Sequence, residues 1–135
     1  MATYVKFNSF VEALSEKVHN LGSDTLKIAL TNSAPSASNT VLANITEISY
    51  SNCSARTVTI STSAQTSGTY KLVLADLVLT ASGTVGPFRY VVLYNDTATN
   101  DELIAYWDYG SALTLGNTDT FTIDFDATNG VFQIV

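Results

Sequence analysis

The sequence predicts a single, mainly β domain: an antiparallel β-sandwich or jelly roll of about eight strands, with one N-terminal amphipathic helix. Apolar residues alternate with polar ones in several short runs after residue 25, and clusters of Ser, Thr, Asn and Gly separate these runs. The runs do not alternate with helical patterns, which excludes a parallel βαβ arrangement. With 135 residues, of which 46% are hydrophobic, the chain can fold as one domain spanning residues 1–135.

The only predicted helix covers about residues 9–20. Ser9 and Glu12 have the spacing of a capping box, and Gly22 is placed to end the helix. His19 lies in the predicted last turn, where the helix dipole favours a protonated side chain, so we expect it to act as a C-terminal cap. The apolar residues recur at three- and four-residue steps and form one stripe, made of Phe7, Phe10, Val11, Leu14, Val18 and Leu21.

The predicted strands begin at about residue 25. Leu26, Ile28 and Leu30 alternate with polar or small residues, as in a strand that is buried on one face. Residues 32–39 then form a long polar loop, and residues 41–48 fit either a short helical turn or an irregular strand. A connection follows over residues 50–55.

The remaining strands occupy the second half of the chain. Residues 56–61 alternate, and the cluster at 63–68 predicts a turn. The high apolar content of residues 70–74 and 77–80 predicts central strands. Aromatic and β-branched runs at 88–94 and 103–109 predict two strands that are joined by a long hairpin loop. The last strands, at 121–125 and 131–135, are expected to form a hairpin through Asn129 and Gly130.

The composition excludes several classes of partner. Six Lys and Arg residues against twelve Asp and Glu give a net charge of −6, so no basic surface is available for nucleic acid or an anionic membrane. Ser and Thr, at roughly a quarter of the chain, supply the polar surface that charged residues usually provide. The N-terminus lacks the pattern of a secretory signal. Cys53 is the only cysteine, which suits a reducing compartment.

The sequence offers little catalytic chemistry. It contains no phosphate-binding loop, nucleophile elbow or zinc motif, so we expect a protein that is not an enzyme and has no cofactor or metal. The strongest candidate for a catalytic acid is Asp108, which lies beside Trp107 and Tyr109 in the sequence. On a strand, however, its side chain faces away from both rings. The acidic loop around Asn100 could hold Ca²⁺, yet it lacks the EF-hand spacing and is interpreted as a solvated turn; its members are Asp96, Asn100, Asp101 and Glu102.

Several blocks of residues resemble a family of small structural proteins of tailed bacteriophages. They span nearly the whole chain: Phe7–Phe10, Val18–Pro35, Ser67–Leu72, Gly86–Tyr90, Leu93–Thr97 and Ile104–Gly110. The resemblance implies a virion structural protein, above all a capsid decoration or cement protein that binds the major capsid protein or neighbouring virion proteins. It also implies assembly in the host cytoplasm and a homo-oligomer, because many decoration proteins form trimers.

The candidate interaction residues lie in three places. The polar loop contributes Asn32, Pro35, Ser36 and Asn39, the helix contributes Phe10 and Leu14, and the later strands contribute Trp107. Two other functions stay open. One is a component of the tail, connector or spike. The other is a carbohydrate-binding β-sandwich module, which would use the aromatic residues Tyr90, Tyr94, Tyr106, Trp107 and Tyr109.

Overall fold

The computed structural model describes residues 2–135, and it is mainly β with antiparallel sheets, as the sequence predicts. It contains ten strands rather than about eight, one short helix and a single 3₁₀ turn at Leu42–Asn44. No helix within residues 2–135 is long and apolar enough to cross a membrane. In chain order the elements are β1 (Thr3–Lys6), α1 (Phe10–Ser15), β2 (Leu26–Thr31), β3 (Thr57–Val58), β4 (Ile60–Thr66), β5 (Thr69–Leu74), β6 (Leu77–Thr80), β7 (Val85–Asn95), β8 (Leu103–Leu115), β9 (Thr120–Ile123) and β10 (Phe132–Ile134).

The strands form three sheets. The largest has five strands in the order β1-β8-β7-β2-β3, the second has the order β10-β5-β4, and the third pairs β6 with β9. One large core cluster joins side chains from all three sheets and from α1. Its fully buried members include Phe10, Ile28, Leu72, Leu79, Phe88, Leu93 and Ile104.

A second, smaller cluster covers the opposite face of the five-stranded sheet. Ala29, which alternates with the core residues Ile28 and Leu30, packs there with Val92 and with Ile45 from the segment after the polar loop. Strand β2 is therefore buried on both faces, and the prediction of a half-buried strand is wrong. The cause is tertiary: the 3₁₀ turn Leu42–Asn44 and the following Ile45 cover the face that the alternation assigns to solvent.

The helix is shorter than predicted. It ends at Ser15 because Lys17 adopts a left-handed conformation, with φ of 68°. The N–H of Val18 then donates to the carbonyl of Ala13 at 2.9 Å and that of Lys17 to Leu14 at 3.4 Å, which is the Schellman pattern of helix termination. Ser9 makes no side-chain cap, so the predicted capping box is also wrong.

Three strand predictions also require correction. Residues 63–66, predicted as a turn, belong to β4, and the turn is confined to Ser67 and Gly68. The C-terminal hairpin does not form, because β9 pairs with β6 and β10 pairs with β5. As a member of that pair, β6 is not a central strand, whereas β5 is central in its three-stranded sheet. Residues 126–130 instead carry the chain from one sheet to another.

Strand β1 was not expected, because strands were predicted only from about residue 25. It adds to the edge of the five-stranded sheet, where Tyr4 lies opposite Trp107 of β8. Of its four residues only Val5 is partly buried, so no alternation of buried and exposed side chains marks it in the sequence. This strand forms because it pairs with β8, and the local sequence does not indicate that pairing.

Candidate functional site

An exposed apolar groove runs between the middle of β8 and β9. Its volume is about 480 Å³. Aromatic and aliphatic side chains form its floor, and Asp124 stands at its rim. We call it the aromatic groove; it is lined by Ala2, Val91, Trp107, Tyr109, Phe121, Thr122, Ile123, Asp124 and Phe125.

The aromatic rings of the groove support one another. Tyr109 meets Phe121 edge to face with ring centroids 5.5 Å apart, and Trp107 meets Phe125 in the same way at 5.6 Å. On its other side Trp107 contacts Tyr4 at 5.6 Å. Trp107 is therefore half-buried, whereas Tyr109 is 47% exposed and offers the most accessible ring of the groove. These contacts hold the rings in a fixed arrangement.

A bulge in β8 places Tyr109 at the groove. Tyr90 of β7 pairs with Asp108, but the next paired residues are Phe88 and Leu113, so residues 109–112 all lie opposite Arg89. These four residues are exposed. Bulges commonly redirect side chains beside functional sites, and this one turns Tyr109 outward.

An ion pair fixes the base of the bulge. The Arg89 guanidinium donates to both carboxylate oxygens of Asp108, at 2.8 and 3.0 Å, and the N–H of Gly110 donates to the same carboxylate at 2.8 Å. The bond from Arg89 holds the pKa of Asp108 below its usual range. Asp108, the strongest acid candidate in the sequence, thus stays ionised at neutral pH and acts as the partner of Arg89.

The predicted loop candidates lie on a different part of the surface from the groove. Asn32 and Ser36 are exposed, and Pro35 and Asn39 are partly buried. The loop is well fixed, since the N–H of Ser36 donates to the Asn39 side chain at 2.8 Å. The N–H of Asn8 also donates to the carbonyl of Ala37 at 2.9 Å. The loop is thus an ordered polar surface.

The two helix candidates differ in accessibility. Phe10 is only 1% exposed and packs against His19 and Phe132, with ring centroids 5.3 and 5.0 Å away. Its prediction as an interaction residue is wrong, because Phe10, at the first residue of α1, faces the main core cluster. Leu14 is partly buried and lines a second cavity, of about 880 Å³, whose lining is of mixed polarity. Of the seven candidate interaction residues, only Trp107 lies in the aromatic groove. Tyr109, from the aromatic set of the carbohydrate-binding alternative, also lines it, whereas Tyr90, Tyr94 and Tyr106 do not.

His19 belongs to a buried polar cluster at the wall of that second cavity, which corrects its predicted role as a helix cap. It is 5% exposed, and Asn95 is fully buried beside it. The Asn95 side-chain nitrogen donates to Asp24 at 2.7 Å and lies 3.0 Å from Nδ1 of His19. Its oxygen accepts the N–H groups of Thr97 and Ala98 at 2.9 and 3.2 Å. The cluster joins the segment after α1 to the β7–β8 loop.

These bonds define the protonation of His19. Because the Asn95 oxygen accepts two backbone N–H groups, its nitrogen must face His19, so Nδ1 is an acceptor and the imidazole proton sits on Nε2. Nε2 is buried and makes no hydrogen bond within residues 2–135. Burial lowers the pKa of His19, against the opposing charges of Glu102 and Asp24. In the folded protein, therefore, the side chain of His19 is uncharged at neutral pH.

We expect stability to fall in mild acid because of His19. Since the pKa of its imidazole is lower in the folded protein than in the unfolded chain, the unfolded state takes up the proton first as the pH falls. The contribution of His19 to stability is then constant above about pH 7.5 and decreases as the pH passes below about 6.5. Denaturant unfolding at about pH 7.5 and about pH 5.5 measures the difference. Asp108 and Asp126, whose pKa values are lowered, stay ionised throughout this range.

The His19→Gln variant is the control for this effect. It lacks the titrating group, so its stability should change less than that of the natural protein between the two pH values. A natural protein that is equally stable, or more stable, at the lower pH contradicts the assignment.

Other reactive residues do not converge in the described part of the chain. Within residues 2–135 no group of three or more His, Cys, Asp or Glu side chains is placed to hold a metal ion. In the acidic loop, Asp96 pairs with Lys27 at 3.2 Å, and Glu102 accepts from Asn100. Cys53 is partly buried, and burial raises the pKa of its thiol, which disfavours the reactive thiolate.

The fold is mainly β, and the groove on its surface is lined largely by aromatic side chains. Comparison with family models, with curated proteins and with solved structures returns no match.

Proposed function

We propose that this protein is a structural, non-enzymatic component of a tailed-bacteriophage virion. Its role is that of a capsid decoration protein, which binds the outer surface of the capsid shell and stabilises it. The resemblance of the blocks from Phe7 to Gly110 to small phage structural proteins supports the class. The aromatic groove is the observation that carries the role, because it offers a contact surface without reactive groups.

The architecture that suits this role is a β-sandwich. The main core cluster contains side chains of the five-stranded sheet together with Leu72 and Leu74 of β5 and Leu79 of β6. We interpret the two smaller sheets as the second layer, packed over this core. Such a two-layer fold leaves its loops, its sheet edges and the aromatic groove exposed to neighbouring proteins.

The groove is suited to contact with protein. Buried aromatic residues dominate the binding energy of protein interfaces, and a preorganised arrangement loses little entropy on binding. The exposed ring of Tyr109 stands on a bulge that Arg89 and Asp108 fix, so it can enter a partner's apolar pocket with little rearrangement. The proposed partner is the major capsid protein or a neighbouring virion protein, and the protein itself is proposed to act as a homo-oligomer in the virion.

Binding to capsids tests this proposal. Purified protein is mixed with expanded capsids that lack it, and the bound fraction is measured by co-sedimentation. We expect binding in many copies and capsids that resist higher temperature. The Tyr109→Ala variant should bind at least about tenfold more weakly, because it removes the exposed ring of the groove.

The Val11→Ala variant is the matched control. Val11 is 49% exposed on α1, close to the 47% of Tyr109, but does not line the groove. Weaker binding by Val11→Ala alone would assign the contact to the helix. An image reconstruction that finds the protein on the tail or at one vertex would favour the tail, connector or spike function, and its absence from the shell would overturn the decoration role.

The aromatic lining also favours one alternative, a carbohydrate-binding module. Binding on a glycan array that is lost in Trp107→Ala would support it. The partial burial of Trp107 between Tyr4 and Phe125 leaves less of its ring free for stacking on a sugar.

A further inference from the structure

Strand β4 is a long sheet edge that no other strand covers. It has seven residues, Ile60–Thr66, and pairs only with β5 in the three-stranded sheet. The other edge strands are shorter: β1, β6 and β9 have four residues, β10 has three and β3 has two. Because an edge strand presents unpaired N–H and C=O groups, its length sets how much pairing it can offer.

The register identifies which backbone groups of β4 face outward. The turn to β5 has two residues, Ser67 and Gly68, both with positive φ, at 50° and 83°. In such a hairpin Thr66 forms a hydrogen-bonded pair with Thr69, and hydrogen-bonded pairs recur at every second residue. The backbone groups of Thr62, Ala64 and Thr66 therefore bond to β5, whereas those of Ser63 and Gln65 point away from the sheet.

This edge lacks the usual protection against pairing. Proteins guard exposed edges with charged residues, prolines or bulges. No charged residue and no proline occurs between Arg56 and Lys71. The register of β4 is irregular only between Ile60 and Thr62, and it is regular from there to Thr66. Residues 62–66 of β4 thus carry no charge and leave their outward backbone groups available for pairing with another strand.

We propose that β4 pairs antiparallel with β4 of a second copy of this chain, across a two-fold axis at Ala64. The two three-stranded sheets then form one continuous six-stranded sheet. The axis places Ser63 of each copy opposite Gln65 of the other, so the outward N–H and C=O groups of both residues are used. This inference does not depend on the proposed virion function.

The charge distribution directs a contact between two copies of this chain to the edge at β4. The chain carries a net charge of −6, so two copies repel over most of their surfaces, but β4 brings no charge to the contact. The nearest charge on the sheet is Lys71, directly opposite Ala64 on β5. Across the pair, the two Lys71 residues lie three strand spacings apart, about 14 Å, which exceeds the screening length of about 8 Å at physiological salt.

The side chains at the axis also fit. Ala64 and its counterpart would face each other as a closely spaced pair, and their small side chains leave room for this approach. Thr62 would lie beside Thr66 of the other copy, a favourable cross-strand combination. Both threonines and Ala64 are exposed in the single chain, so the pairing displaces no other part of the protein.

Sedimentation equilibrium tests this pairing between about 10 µM and about 1 mM, because an edge contact alone is smaller than a standard interface and should be weak. We expect a reversible dimer. The Ala64→Lys variant should weaken association at least about tenfold, since it places two like charges directly opposite each other. A mixture of Ala64→Lys with Ala64→Glu should restore the dimer, which shows that neither variant has failed to fold.

The control is Ala43→Lys, the same substitution at an exposed alanine outside β4. It should leave association unchanged. A protein that stays monomeric over the whole range, or a dimer that Ala64→Lys leaves intact, overturns the proposal. A trimer also overturns it, because three-fold symmetry cannot place β4 against itself. Capsid binding is measured separately, so the decoration role and the β4 pairing fail independently.

Discussion

The Asn95→Ala variant should lose about 3–5 kcal/mol of folding stability. Asn95 is fully buried and satisfies four groups at once: the Asp24 carboxylate, Nδ1 of His19, and the N–H groups of Thr97 and Ala98. Alanine fills only part of the space and offers no partner to any of them. Because a buried polar group without a partner costs about 1–3 kcal/mol, and more when it is charged, the loss should be among the largest of any single polar substitution.

The Asn100→Ala variant is the matched control for Asn95. Asn100 lies in the same β7–β8 loop but is exposed, and its side-chain bond to Glu102 is 3.3 Å long. Its replacement should change stability by less than about 0.5 kcal/mol. Denaturant unfolding of both variants at neutral pH gives the comparison. Equal losses in the two variants would mean that the buried cluster does not stabilise the fold.

The Gly130→Ala variant should lose about 3 kcal/mol. Gly130 has a φ of 76°, which is unfavourable for alanine, and an added Cβ would collide with the carbonyl oxygen of Leu72. That oxygen accepts the N–H of Val131 at 2.7 Å, a bond that ties the start of β10 to β5. Relief of the collision would therefore stretch or break this connection.

The Gly68→Ala variant separates the cost of the positive φ from the cost of the collision. Gly68 has a similar φ of 83°, but no heavy atom beyond its chain neighbours lies within 4 Å of the added Cβ. It should lose only about 1 kcal/mol, the backbone cost alone. Thermal unfolding of both variants measures the difference. A loss for Gly130→Ala no larger than for Gly68→Ala would mean that the contact with Leu72 is relieved without cost.

The strands with clear hydrophobic patterns could be predicted from the sequence, and those formed by tertiary pairing could not. Strand β6 has the predicted bounds, and β2 lies within its predicted range, because their apolar residues dominate the local pattern. The second half of β4 is almost entirely Ser, Thr, Ala and Gln, which predicts a turn equally well. The length of the helix was overestimated because its apolar stripe continues through Val18, whereas Lys17 adopts a left-handed conformation that ends the helix.

The candidate site was only partly predictable. Trp107 was identified from its aromatic neighbours along the strand, but the aromatic groove also needs Phe121 and Phe125, which the sequence indicates only as strand and core positions. The cluster of His19, Asp24 and Asn95 joins residues more than 70 positions apart. Nothing local in the sequence marks such a contact. His19 would cap the helix only if the helix reached it. Because α1 ends at Ser15, His19 lies beyond the helix and is buried instead.

The bulge in β8 contains exposed residues that lie outside the core of the fold. Its base is held by Arg89 and Asp108, while Ser111 and Ala112 project into solvent and contribute nothing to either core cluster. Substitutions or short insertions at these two positions, which follow Tyr109 and Gly110 in the bulge, should therefore cost little stability. In the proposed decoration role, the surface beside Tyr109 could thus change at this bulge while every strand keeps its place.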